Sequence, residues 1–201
     1  RSLGVEFGSN LNAYTSIDQT VYRICDVPTK REAALDSCVL ILKDWSNGLT
    51  LDGKEIDKER GVIHEEWRNR RAGMAMQRLM ENAMPAMYKG SKYEDCLPIG
   101  SMDVVDNFPY QDLRDYYQKW YRPDLQAVIV VGDVDVDKVE MFGSIPLPKN
   151  RAERVYYPVP DNDTIIVAIE RDKEQPVVLA HLYMKREATP DSEKNTVEYL
   201  R

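Results

Sequence analysis

Glu59 and Glu66 are the two side chains whose type and spacing most suggest chemistry. They stand seven residues apart in Glu59-Arg60-Gly61-Val62-Ile63-His64-Glu65-Glu66, so on a helix they fall two turns apart on nearly the same face. A carboxylate so placed can ligate a cation or carry a proton, although paired acids are common on solvated helices. His64 adjoins two acids, but His64-Glu65-Glu66-Trp67 lacks the second histidine that a His-Glu-x-x-His metal helix requires. His181 lies in an apolar run, where a structural role is expected. Asp133-x-Asp135-x-Asp137 imitates the opening of a calcium loop. That loop needs glycine where Lys138 stands and glutamate where Ser144 stands, so these aspartates are expected to turn the chain and cap a helix.

The elements that must position the acids can be read from periodicity. Residues 10–16 and 19–27 read as two strands joined at Ile17-Asp18. Thr29 and Glu32 fit a capping box for a helix whose buried stripe is Leu35, Cys38, Val39, Leu42 and Trp45, ended by Asn47-Gly48. A long helical pattern runs over 54–88, with a break expected near Gly73 or Pro85. Within it Ile56, Ile63, Trp67 and Met74 share a narrow arc, and Glu59 and Glu66 sit on its flank. Residues 93–100 read as a loop, Ser101 as the cap of a short helix, and Pro109 as the start of another that Pro123 stops. The cluster Tyr116, Tyr117, Trp120 and Tyr121 reads as core. Residues 126–131 form a continuous apolar run expected at the centre of a sheet, and 164–169 and 176–183 read as two further strands.

Composition narrows the class. The 201 residues are 43% hydrophobic and 30% charged, which suits a globular fold with a sizeable core. A net charge of −7 argues against a nucleic-acid surface. Apolar runs such as 127–131 are far too short to span a bilayer. The sequence opens in mid-pattern at Arg1-Ser2-Leu3-Gly4, so an export signal is neither shown nor ruled out. Cys25, Cys38 and Cys96 are odd in number and far apart, so buried thiols are expected rather than a disulfide framework.

In order, Leu11-Asn12-Ala13-Tyr14-Thr15-Ser16, the Glu59/Glu66 segment, Trp120-Tyr121-Arg122-Pro123-Asp124 and Val131-Gly132-Asp133-Val134-Asp135 resemble the pitrilysin/insulinase family of zinc metallopeptidases. The likeness covers about residues 3–148; beyond Pro148 only the strand pattern matches. It implies an α+β fold, a mostly antiparallel β-sheet with long helices packed on it. Residues 1–201 are then one peptidase-like domain truncated at its N-terminus, with 1–145 matching best, 146–163 a proline-rich loop and 164–201 further strands of the same sheet. In the family a longer helix separates Gly-Asp-Val-Asp from a turn such as Phe142-Gly143, so residues are expected to be missing near Glu140-Met141.

The resemblance also implies a reaction: hydrolysis of peptides by a metal-activated water, with Zn²⁺ as cofactor. Glu66 is carried over as the zinc ligand and Glu59 as the acid supporting the site. The family's His-x-x-Glu-His, which supplies two ligands and the general base, is not in this sequence and would fall before Arg1. The chain alone is therefore expected to be inactive and to hold zinc poorly. Asn12, Ala13, Tyr14 and Thr15 resemble the edge strand on which the family lays its peptide substrate. The expected partners are that peptide and a second homologous half, in the same polypeptide or a partner subunit. The alternative is a non-catalytic family member that holds peptides or acts as a structural subunit.

Overall fold

The computed structural model describes residues 4–6, 8–28, 30 and 32–199. Its elements are β1 (Leu11–Thr15), β2 (Thr20–Ile24), α1 (Glu32–Asn47), α2 (Gly53–Gly73), α3 (Ala75–Met87), α4 (Met102–Asn107) and α5 (Tyr110–Trp120), with short 3-10 segments between and after them. The chain divides into two compact units, Arg1–Arg68 with Leu97–Val155, and Asn69–Cys96 with Tyr156–Arg201.

In the first unit β1 and β2 form an antiparallel hairpin in which Leu11 pairs with Ile24 and Ala13 with Tyr22. Ser16 donates its backbone N–H to the Gln19 carbonyl at 2.8 Å, closing the turn at Ile17-Asp18 as expected. Leu11, Val5 and Cys38 form a small core against which Ile24, Val27 and Trp45 pack. Of the stripe on α1, Cys38 and Val39 are buried while Leu35, Leu42 and Trp45 are half-buried, and the helix ends at Asn47. The capping box at Thr29 and Glu32 lies outside the residues whose side chains are described. Cys38 is buried, which pushes its thiol pKa up, whereas Cys25 and Cys96 are only half-buried; all three are free.

Asp52 starts α2: its Oδ1 accepts the Lys54 backbone N–H at 2.9 Å. The helix stops at Gly73, and Met74 breaks from helical geometry at φ −140°, ψ 95° before α3 begins. The break falls at the glycine. Pro85 is tolerated inside α3. Met74 is thus lost from the expected arc and is 61% exposed, while Ile56 is buried and Ile63 and Trp67 half-buried. Ser101 occupies the cap position of α4, yet its hydroxyl makes no capping bond. Asp135 does cap: its carboxylate accepts the Asp137 N–H at 3.1 Å, opening a 3-10 segment, Val136–Ser144.

The aromatic cluster is partly core. Tyr117 and Tyr121 lie 4.6 Å apart between ring centres, and the Tyr121 and Tyr22 hydroxyls are bonded at 2.7 Å. Burial raises the Tyr22 pKa, and the Tyr121 bond raises it further. Tyr116, by contrast, is 57% exposed. Arg122 is buried, with Nη2 donating to the Ala152 carbonyl at 2.5 Å. Its Nε stands 3.0 Å from Asp124 Oδ1, an ion pair whose N–H is not aligned as a hydrogen bond. The Trp-Tyr-Arg-Pro-Asp segment is therefore a structural corner.

In the second unit, 3-10 segment Lys92–Asp95 replaces part of the expected loop, and Tyr93 packs edge-on to Tyr157 at 5.8 Å. Arg78 on α3 donates to Asp172 and Glu174, both at 2.6 Å.

The expected large sheet is not observed: among the described residues the only sheet has two strands. Residues 126–131, 164–169 and 176–183 form no strand, with bends at Thr164 and Val177, and Val131, Ile165 and Val178 are 91%, 89% and 98% exposed. His181 shares this exposure, stacked on Tyr183, so it does not fill the structural place expected of it. The physical reason is that a strand forms only against a neighbour, and apolar alternation supplies the face without supplying the partner.

Candidate functional site

Helix α2 presents two flanks with different fates. One carries Asp57, Arg60 and His64, spaced at i, i+3 and i+7, and it is tied to residues 105–110. Asp57 Oδ2 accepts the Tyr110 hydroxyl at 2.5 Å, which raises the tyrosine pKa. Arg60 donates through Nη1 to the Val105 carbonyl and through Nη2 to the Phe108 carbonyl at 2.8 Å. Its guanidinium also lies 3.9 Å over the Phe108 ring. His64 Nε2 meets Asp106 Oδ1 at 2.6 Å. This histidine therefore joins two helices.

Glu59 and Glu66 lie on the other flank, and both are exposed. Glu65 points elsewhere, paired with Arg68 at 2.8 Å between two mostly exposed side chains. Two carboxylates two turns apart stand about 10 Å from one another along the axis. They can serve one centre only as a ligand and a more distant support. Among the described residues no group of three His, Cys, Asp or Glu side chains could hold a metal ion. Catalytic zinc takes three protein donors. Glu59 and Glu66 by themselves do not make such a site.

Asn12, Ala13, Tyr14 and Thr15 are all exposed on β1. Cys25 N–H donates to the Asn10 carbonyl and Ser16 N–H to the Gln19 carbonyl, so even-numbered positions bond across the hairpin. The N–H groups of Leu11, Ala13 and Thr15 then face the open edge. Leu11 is already closed off there, its N–H going to Glu6 and its carbonyl to Gly8. The Ala13 N–H is held at 2.8 Å by the side chain of Asn12. A strand adding here would displace that amide, an arrangement the pattern of residue types did not reveal. Sequence reasoning also missed Arg60, whose signal was a basic residue on the buried side of α2. Close packing in this unit joins β1 to β2 and α1 to residues 136–144; β1 and α2 are not such a pair.

Residues 5–97 match the family described as insulinase (peptidase family M16), and residues 107–197 match the peptidase M16 inactive domain. The chain belongs to the M16, or insulinase, family. It is 35% identical over 189 residues to the probable zinc protease PqqL of Escherichia coli, covering 92% of this chain and 20% of that protein. To the protein of the same name in Haemophilus influenzae it is 32% identical, over 79% of this chain and 17% of the relative. The structure of the first half of the periplasmic protease PqqL from Escherichia coli superposes with a TM-score of 0.70 at 36% identity, covering 79% of this chain and 34% of that one. This chain thus spans about one fifth of the length of these family relatives. No helix among the described residues is long and apolar enough to cross a membrane.

Proposed function

We propose that the full-length protein is a zinc-dependent metalloendopeptidase, in which Glu66 supplies one zinc ligand and Glu59 orients the site. The observation that carries this reading is the division of α2: one flank is tied to residues 105–110, and the other holds both acids exposed. A rigid helix is a good mount for a metal ligand, because its rotation and height are fixed by packing. The two histidines and the general base come from outside this chain, which is then inactive alone. The extended peptide substrate pairs with β1 along 12–15, and a second homologous half completes the enclosure. Residues 1–201 form one part of the peptidase fold, their unpaired segments completed by neighbouring chain.

A second reading is a non-catalytic family member that acts as a peptide-holding or structural subunit. On that reading the protein holds peptides without cutting them. Metal analysis and a fluorogenic peptide assay separate the two when run on this chain and on the full-length protein. The peptidase reading expects about one zinc per full-length chain and turnover, with neither in residues 1–201 alone. A full-length protein without zinc or turnover overturns it.

A further inference from the structure

We infer that Arg60 is a positioning residue: it sets the rotation of α2 about its own axis, and with it the direction in which Glu59 and Glu66 point. This rests on the proposed role of Glu66. Carbonyls at the C-terminal end of a short helix lack intrahelical donors and carry partial negative charge. Arg60 supplies donors to two such groups, Val105 O and Phe108 O, with Nε 3.2 Å from Asp57 Oδ1 and the Phe108 ring beneath it. Its side chain is only 15% exposed, and Val105 is 8% exposed, so neither end of the contact is free to drift. His64 with Asp106 adds a second fixed point one turn further along the same flank. Two points on one flank define both the height and the rotation of the helix.

Rotation is the quantity that matters to the acids. At 3.6 residues per turn, Arg60 and Glu66 lie about 120° apart around the axis, so the arginine acts on Glu66 through the helix and not by contact. On a helix about 10–12 Å across, a 10° rotation moves a side-chain tip by about 1 Å. A displacement of that size costs roughly 100-fold where reacting groups must meet. Lysine cannot replace the arginine here. A point charge on a flexible stem reaches one carbonyl at a time and stacks poorly on the ring.

The test uses the full-length protein, comparing Arg60→Lys, Arg60→Ala, Phe108→Leu and Glu66→Gln for melting temperature, kcat, KM and zinc affinity by chelator competition. Arg60→Lys is expected to melt within a few degrees of the parent. Its kcat should fall by about tenfold or more and zinc affinity by about tenfold, at nearly unchanged KM. Phe108→Leu keeps the two hydrogen bonds and should lose less. The inference is overturned if Arg60→Lys keeps kcat and zinc affinity, or if activity falls only in step with the folded fraction. Should Glu66→Gln itself keep zinc and turnover, the ligand reading falls and the role of Arg60 with it. That result is separate from an Arg60 series that fails while Glu66→Gln abolishes both.

Discussion

His64 Nε2 and Asp106 Oδ1 are 2.6 Å apart, so the one imidazole on α2 is committed to α4 and turned away from the flank of Glu59 and Glu66. Beside a cluster of acids a histidine invites a catalytic reading. The geometry gives it a mechanical one: with Arg60, it decides which way the helix faces. Those contacts lie on the far side of the helix from both exposed acids.

That arrangement orders the effects of three substitutions in the full-length protein. Glu66→Gln should abolish activity and most bound zinc, because a neutral amide is a poorer donor than a carboxylate while its similar size spares the fold. Glu59→Gln should cost about 10–100-fold, as changes around a metal ligand typically do. Glu65→Gln should matter least, since it removes only an exposed pair with Arg68. Equal, small losses at all three positions would point to a solvated acidic face and the non-catalytic reading.

Much of this was legible in the residues. The helices α1, α2 and α5 announced themselves through apolar spacing and through Asn47-Gly48, Gly73 and Pro123, because helical bonding is local. The hairpin was equally plain, its turn lying only two residues from either partner. The long sheet failed because strand pairing is not local: nothing in 126–131 says where its neighbour lies. Glu59 and Glu66 were visible as an acid pair, but their helix is also held by Arg60 bonding two carbonyls 45 and 48 residues away. No periodicity encodes that contact.

Ala13→Pro tests whether peptides add to β1. Ala13 occupies a position that does not bond across to Tyr22, so proline there removes only the donor facing the open edge. The hairpin should persist while peptide binding weakens by several-fold in the full-length protein. Asn12→Ala should act in the opposite sense, freeing the Ala13 N–H from its own neighbour. Unchanged peptide affinity in both variants, read by fluorescence anisotropy, would place the peptide elsewhere.

Gly53→Ala should destabilise the protein although alanine is the better helix former. A Cβ at Gly53 would stand 2.7 Å from Tyr110 Cε2, and the ring is held by its bond to Asp57. Relief requires the ring to move and the bond to break, a cost of about 1–3 kcal/mol. The helix-propensity gain is at most about 1 kcal/mol and smaller in a first turn. In a Tyr110→Ala background the clash is gone, and the same Gly53→Ala change should become neutral or stabilising. A double-mutant cycle by chemical denaturation reads the coupling; additive effects would show that the two residues do not meet.

Asp172 gives a pH dependence with a definite sign. The Arg78 guanidinium 2.6 Å away holds its carboxyl down at about 2, helped by the Glu174 backbone N–H at 2.9 Å. Its unfolded value is near the ordinary 3.8. A carboxylate depressed in the folded state binds fewer protons there than when unfolded, so the stability it contributes is fully present above about pH 4. That contribution drains away as pH falls toward 2, releasing the 170–174 turn from α3. Carbon-detected NMR titration should place the Asp172 midpoint near 2 in the parent and back in the usual aspartate range in Arg78→Met. A parent midpoint near 4 would mean that the clamp on α3 does not hold in solution.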